Sequence, residues 1–196
     1  SIQCGNLKVG IVNFCEGEDC TAAIDRAGDG ADDGAGVFGW DVERAANSVI
    51  ELRETNDVVL AIAHCGREYA PVPPPYVVAA FRRLLAAGAT AVIGHHPHVP
   101  QGVEIYNGCP IFYSLGNFVF DQPVDSYFRK TGYLVMLELS KSGINEFRIV
   151  PYHIESDKLR LLTGDEAVAF LNDLRRVSEV FERNADVEEV WNAFLD

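Results

Sequence analysis

Apolar positions along this chain fall into unbroken runs of strand length, separated by stretches in which they recur every three or four residues. LKVGIVNF, Leu7 to Phe14, is rich in β-formers and ends in the polar CEGEDC, which predicts a strand running into a loop. From Asp41, a favoured N-cap type, Val42, Ala45, Ala46, Val49 and Ile50 line one side with charges opposite. That pattern predicts a helix to about Thr55. DVVLAIA, Asp57 to Ala63, is short and continuous, as expected of a strand covered on both faces, and it stops at His64. PVPPPY leads into a second predicted helix, with Pro75 in its first turn and Gly88 as its stop. Its apolar stripe is Val77, Val78, Phe81, Leu84 and Leu85. TAVIG is another short buried strand, ending at a histidine cluster.

This order of strand, helix, strand, helix, strand predicts an α/β fold with a largely parallel sheet and helices on its faces. Further on, CPIFYSLG and FVFD read as strand pieces. YLVMLELS and NEFRIVPY, joined by KSGI, read as an antiparallel hairpin. Helical periodicity returns from about Asp165 to Arg183, and VEEVWNAFL reads as a last short helix. The expected organisation is one layered domain over residues 1–155 with a helical tail, 156–196, packed on it.

Composition narrows the function. With 196 residues, 48% of them hydrophobic, the chain can bury a sizeable core. Its formal charge of -13 repels polyanions at long range, so nucleic acid is not an expected partner. No window reaches the roughly 18 apolar residues needed to cross a bilayer. Because the chain opens with Ser1 and enters a strand almost at once, it reads as the downstream part of a longer protein. Cys4, Cys15, Cys20, Cys65 and Cys109 form no CxxC pair. Cys15 and Cys20 flank an acidic loop where a bridge is conceivable, although ordinary thiols are the simpler reading. The Gly- and Asp-rich Asp25–Gly36 misses the calcium-loop spacing and reads as a solvated loop.

Chemistry concentrates where two consecutive predicted strands end. His64 follows VVLAIA, while His95, His96 and His98 follow Gly94 in VIGHHPHVPQG. In open α/β sheets ligands gather at the carboxyl ends of strands, so neighbouring strands would put four imidazoles on one rim. An extended His-x-His directs alternate side chains apart and suits metal binding, and Pro97 restrains the segment. A lone histidine such as His153 carries no such implication. A Cys65–His64 nucleophile pair is the weakest alternative, since adjacent strand residues point apart.

HCGREY, His64 to Tyr69, and GATAVIGHHPHVPQGVEIYNGCPIFYSLGNFVFDQ, Gly88 to Gln122, resemble the CapA family of bacterial capsule and poly-γ-glutamate synthesis. That family is similar to the calcineurin-like metallophosphoesterases. The resemblance runs over about Leu7 to Gln122 and more loosely to Tyr152, with Cys65 where relatives usually have Trp. It implies a metallophosphoesterase-like layered sandwich, incomplete at its N-terminus, and a dinuclear site for divalent ions such as Mn, Zn or Fe. On that resemblance His64, His96 and His98 are the metal ligands, with His95 as an orienting or catalytic imidazole. Arg67 is a clamp for an anionic oxygen, Glu68 an acceptor fixing a ring tautomer, and Asn117 in SLGNF either a turn residue or part of the site.

The carboxylate and Asn-His motifs that complete such a site are missing from this chain, so it is expected to hold at most one of the two ions and to be inactive alone. Two function classes follow. One is metal-dependent hydrolysis, in the intact protein, of a phosphoester or amide in an anionic envelope polymer or a smaller substrate, with Arg67, Arg82 and Arg83 drawing in the anion. The other is a non-catalytic scaffold or polymer-binding role. Both imply a cell-envelope or extracytoplasmic setting, a membrane-bound synthesis complex, and the absent N-terminal half of the domain as partners.

Overall fold

In the computed structural model, which describes residues 1–16, 21–22, 37–120, 126–156, 158–182 and 187–195, the apolar runs lie side by side. The strands are β1 (Ile2–Cys4), β2 (Leu7–Cys15), β3 (Thr21–Ala22), β4 (Val37–Phe38), β5 (Val58–His64), β6 (Ala91–His95), β7 (Val103–Tyr106), β8 (Cys109–Phe112), β9 (Thr131–Ser140), β10 (Gly143–Glu155) and β11 (Lys158–Leu161). The helices are α1 (Val42–Thr55), α2 (Pro75–Ala86), α3 (Gly164–Glu182) and α4 (Val187–Leu195). Six strands form a mixed sheet ordered β1-β2-β5-β6-β8-β7, whose four central strands are parallel. β9, β10 and β11 make a separate antiparallel sheet. The expected layered α/β sandwich is what forms.

The period-2 alternation of side chains sorts the large sheet into two faces. Val12, Phe14, Val59, Ala61, Val92 and Ile111 pack against Ala45, Ala46 and Val49 of α1 and Val78, Phe81 and Leu84 of α2. On the other face, Ile93 and Phe112 pack with Tyr133 of the small sheet and with Phe170 and Leu174 of α3. Local chemistry sets the helix ends as the sequence predicts. The Asp41 carboxylate accepts the Arg44 N–H at 2.9 Å, and beyond α2 Gly88 takes φ +108°.

Several expectations need correction. The second face of β5 is only half covered, because the small sheet and α3 lie toward β6 and β8. Leu60 and Ile62 are half-buried and their neighbour Ile11 is 37% exposed. FVFD is no strand over its described residues. Leu115 and Gly116 make single bridges to Pro100 and Gly132, and Phe118, Val119 and Phe120 are exposed. β7 went unpredicted, and the segment read as a helical tail begins with a strand, β11, on β10. Asp25–Gly36, Cys20 and hence any Cys15–Cys20 bridge, Asp121, Gln122 and Arg183 fall outside the described residues.

Candidate functional site

The parallel register aligns Cys15, His64 and His95 in one row across the carboxyl ends of β2, β5 and β6. Beyond His95 the chain leaves the sheet. The extended His-x-His geometry does not occur: His96 and His98 have φ of +104° and +59°, and Tyr69, whose N–H donates to the Pro97 carbonyl at 2.7 Å, has φ +62°. Such backbone strain in non-glycine residues persists only where the surroundings impose it, and it collects at functional sites.

The bend turns three imidazoles toward one another. His96 Nδ1 lies 3.2 Å from His64 Nε2, with ring centroids 4.9 Å apart, and the His96 and His98 rings are 6.0 Å apart. As it stands the 3.2 Å contact is a hydrogen bond in which one ring donates to the other. Its length also matches the spacing of about 3.3 Å between two nitrogens bound at about 2.0–2.1 Å to one tetrahedral ion. These two rings therefore fit a shared cation. Among the described residues no three His, Cys, Asp or Glu side chains converge on one point.

His98 is held differently. Its Nδ1 lies 2.7 Å from Asn117 Oδ1, and its Nε2 is 4.0 Å from Glu68 Oε1, beyond hydrogen-bond reach. Asn117 is thus in contact with the cluster, and Tyr69 and Phe120 set their rings 5.9 and 5.3 Å from that of His98. His95 sits half-buried beside His64. Burial, with the His64 ring adding, holds its pKa below the ordinary histidine value.

That shift has a definite sign for stability. The folded state takes up the His95 proton less readily than the unfolded chain, whose histidines titrate near about 6.5. The neutral ring's contribution is complete above that value and is lost as pH falls below it. His95→Gln is therefore expected to flatten the acid-side fall in unfolding free energy between pH 7.5 and 5.5. An unchanged slope in urea titrations would contradict this.

Arg67 and Glu68 are exposed, and Arg67 makes no ion pair among the described residues. Arg82 and Arg83 are not free cations: Arg82 grips Glu104 at 2.6 Å, and Arg83 grips Glu43 at 2.7 Å. Sequence reasoning missed Arg129, whose guanidinium carbon lies 3.5 Å from the centre of the Tyr69 ring. It also missed Glu16, at the end of β2. Glu16 accepts the Gly66 N–H at 2.9 Å and the Tyr76 hydroxyl at 2.8 Å, pinning the turn after His64. A carboxylate straight after a strand, in CEGED, was the available signal. Cys65 is 2% exposed, and burial, reinforced by Glu16, pushes its thiol pKa up, which removes it as a nucleophile.

A profile of the family described as "Bacterial capsule synthesis protein PGA_cap" matches residues 1–122. The chain is 39% identical over 119 residues to "PGA biosynthesis protein CapA" of Bacillus subtilis (strain 168), covering 61% of this chain and 31% of the relative. Identity to "Capsule biosynthesis protein CapA" of Bacillus anthracis is also 39%, over 108 residues, or 55% and 26% of the two chains. A "Probable polyglutamine synthesis accessory protein" of Mycobacterium tuberculosis is 26% identical over 142 residues, 69% of this chain and 37% of its own. The matched stretch thus spans roughly a third or less of the two Bacillus proteins. With HCGREY, GHHPH and the whole of SLGNFVFDQ inside a match that takes in well over half of the residues, the chain belongs to the PGA_cap family of bacterial capsule synthesis proteins.

Proposed function

We propose that the intact protein is a metal-dependent hydrolase of capsule or poly-γ-glutamate synthesis, cleaving a phosphoester or amide in an anionic envelope polymer or a smaller related substrate. The single observation carrying this reading is the approach of His64 Nε2 and His96 Nδ1 to 3.2 Å on a strained loop. His64 and His96 would hold a divalent ion, Mn, Zn or Fe, with His98 as a further donor. A second ion would need carboxylates beyond those the described residues bring to the histidines. When bound, such ions lower the pKa of a coordinated water and offset charge on the leaving oxygen.

The chain's own residues supply the rest of the chemistry. Exposed Arg67, and Arg129 over the Tyr69 ring, would meet an anionic oxygen through a guanidinium fork that suits carboxylate and phosphate alike. His95, kept neutral, can donate one hydrogen bond and accept another without adding charge. The half-open face at Ile11, Leu60 and Ile62, on the same side of the sheet as His64, is where further polypeptide of a longer protein would pack and bring in carboxylates. With a formal charge of -13, attraction of an anionic polymer has to be local and salt-sensitive. An envelope setting and association with a membrane-bound synthesis complex follow from the same reading.

Calorimetric titration with zinc or manganese tests the metal site. Binding is expected at pH 7.5 and is expected to weaken markedly at pH 5.5, because protonated imidazole has no lone pair to donate. Equal affinities at the two pH values, or none at 7.5, would count against it. The pairing of Arg82 and Arg83 with carboxylates leaves fewer cations for a polymer than the sequence offered, which favours a second reading, a non-catalytic assembly component. Hydrolytic activity of the full-length protein that survives both chelation and His96→Ala would count against the metal-dependent reading, and full-length protein with no hydrolytic activity in the presence of zinc or manganese would favour the second.

A further inference from the structure

We propose that Asn117 is a positioning residue that locks His98 in the Nδ1–H tautomer, leaving the Nε2 lone pair free for a cation. The proposal rests on the metal-site reading of His98 for its purpose, though not for its geometry.

The assignment begins one bond away from the ring. Asn117 is buried at 4% exposure, and its amide nitrogen Nδ2 lies 2.9 Å from the backbone carbonyl of Arg129. A carbonyl oxygen can only accept, so the amide must present Nδ2 to Arg129 and Oδ1 to His98. Oδ1 in turn has only lone pairs, and it lies 2.7 Å from His98 Nδ1. The proton in that contact therefore sits on Nδ1, and in the neutral ring Nε2 is bare. An unconstrained histidine side chain favours the opposite tautomer, with the proton on Nε2, so the protein imposes this one.

Asn117 is itself fixed. Its backbone carbonyl accepts the hydroxyl of buried Tyr152 at 2.6 Å, and its neighbour Gly116 bridges to Gly132 on β9. The amide cannot swing to follow the ring, and ring and amide are held in one relative orientation. On the other side of the ring, Nε2 faces Glu68 Oε1 across 4.0 Å. A bare nitrogen and a carboxylate are both acceptors, so they need a shared partner, and a cation, like a water donating to both, supplies one. A metal-ligating imidazole typically donates its second N–H to a neighbouring acceptor in this way, and losing that acceptor costs about 10–100-fold in metal affinity.

The test reads the tautomer directly. Long-range proton–nitrogen correlation spectra of the 15N-histidine-labelled 196-residue chain at pH 8.5 are expected to show His98 with a protonated Nδ1 and an unprotonated Nε2. Asn117→Ala is expected to shift His98 toward the Nε2–H form, leave the other histidine patterns in place, and weaken zinc binding by about 10–100-fold. Asn117→Asp, whose carboxylate still accepts from Nδ1, is expected to keep the wild-type tautomer. A wild-type His98 carrying its proton on Nε2 overturns the proposal with no variant needed, so an Asn117→Ala chain that fails to fold leaves it decidable. An unchanged tautomer in a folded Asn117→Ala chain, or a changed tautomer with wild-type zinc affinity, also overturns it. If zinc does not bind the wild-type chain at all, the metal reading falls while the spectra still judge the lock.

Discussion

Gly94→Ala is expected to destabilise the fold by about 3 kcal/mol or more, a large share of the total stability of a domain this size. Gly94 lies on β6 where β8 passes at its closest. A Cβ at this position would sit 2.0 Å from the Tyr113 carbonyl oxygen, 2.8 Å from its carbon and 3.0 Å from Phe81 Cε2. Two of those three atoms are backbone, and the Phe81 and Tyr113 rings are stacked and fully packed, so no rotamer change opens the space. The strand pair must separate, breaking the Leu115 N–H bond to the Gly94 carbonyl and shifting the histidines that follow. Urea unfolding of the variant measures the effect, and a midpoint within error of wild type would refute the close approach.

The other large effect concerns His96. Truncation to alanine removes one of two nitrogens that face each other across 3.2 Å, and zinc affinity is expected to fall at least about 100-fold, more than the loss of an outer-shell partner costs. His96→Gly removes the same nitrogen but also relieves φ +104°, a conformation that costs a side-chain-bearing residue about 1–2 kcal/mol. His96→Gly is therefore expected to lose metal as completely as His96→Ala while being about 1 kcal/mol more stable than it. Titration calorimetry and thermal unfolding of the pair separate ligation from strain. Two variants of equal stability would show that the loop carries no strain at His96, and wild-type zinc affinity in either would remove His96 from the site.

Much of this molecule was legible because its signals are local. Asp41 capping α1, Pro75 and Gly88 bounding α2, and the runs that become β2, β5 and β6 each depend on residues within one turn or one strand. The crowding of His95, His96 and His98 behind Gly94 was equally plain. Some of the misreadings concern residues whose fate is set by distant partners, and others concern short hairpins. FVF is as apolar as a strand but finds no strand to pair with among the described residues, whereas β11 is the second arm of a tight hairpin with β10. Arg82 and Arg83 look like free cations in the sequence, and only folding places Glu104 and Glu43 against them.

By itself, the sequence determined the α/β class, the position of the strand ends, the family and the histidines worth examining, because periodicity, caps and motif spacing act over a few residues. Tertiary structure alone decided that His64 and His96 meet, that His98 is tied to Asn117 and that Arg129 covers Tyr69. Those contacts join residues far apart in the chain. Their geometry comes from strand register and a loop forced through positive φ, neither of which composition encodes.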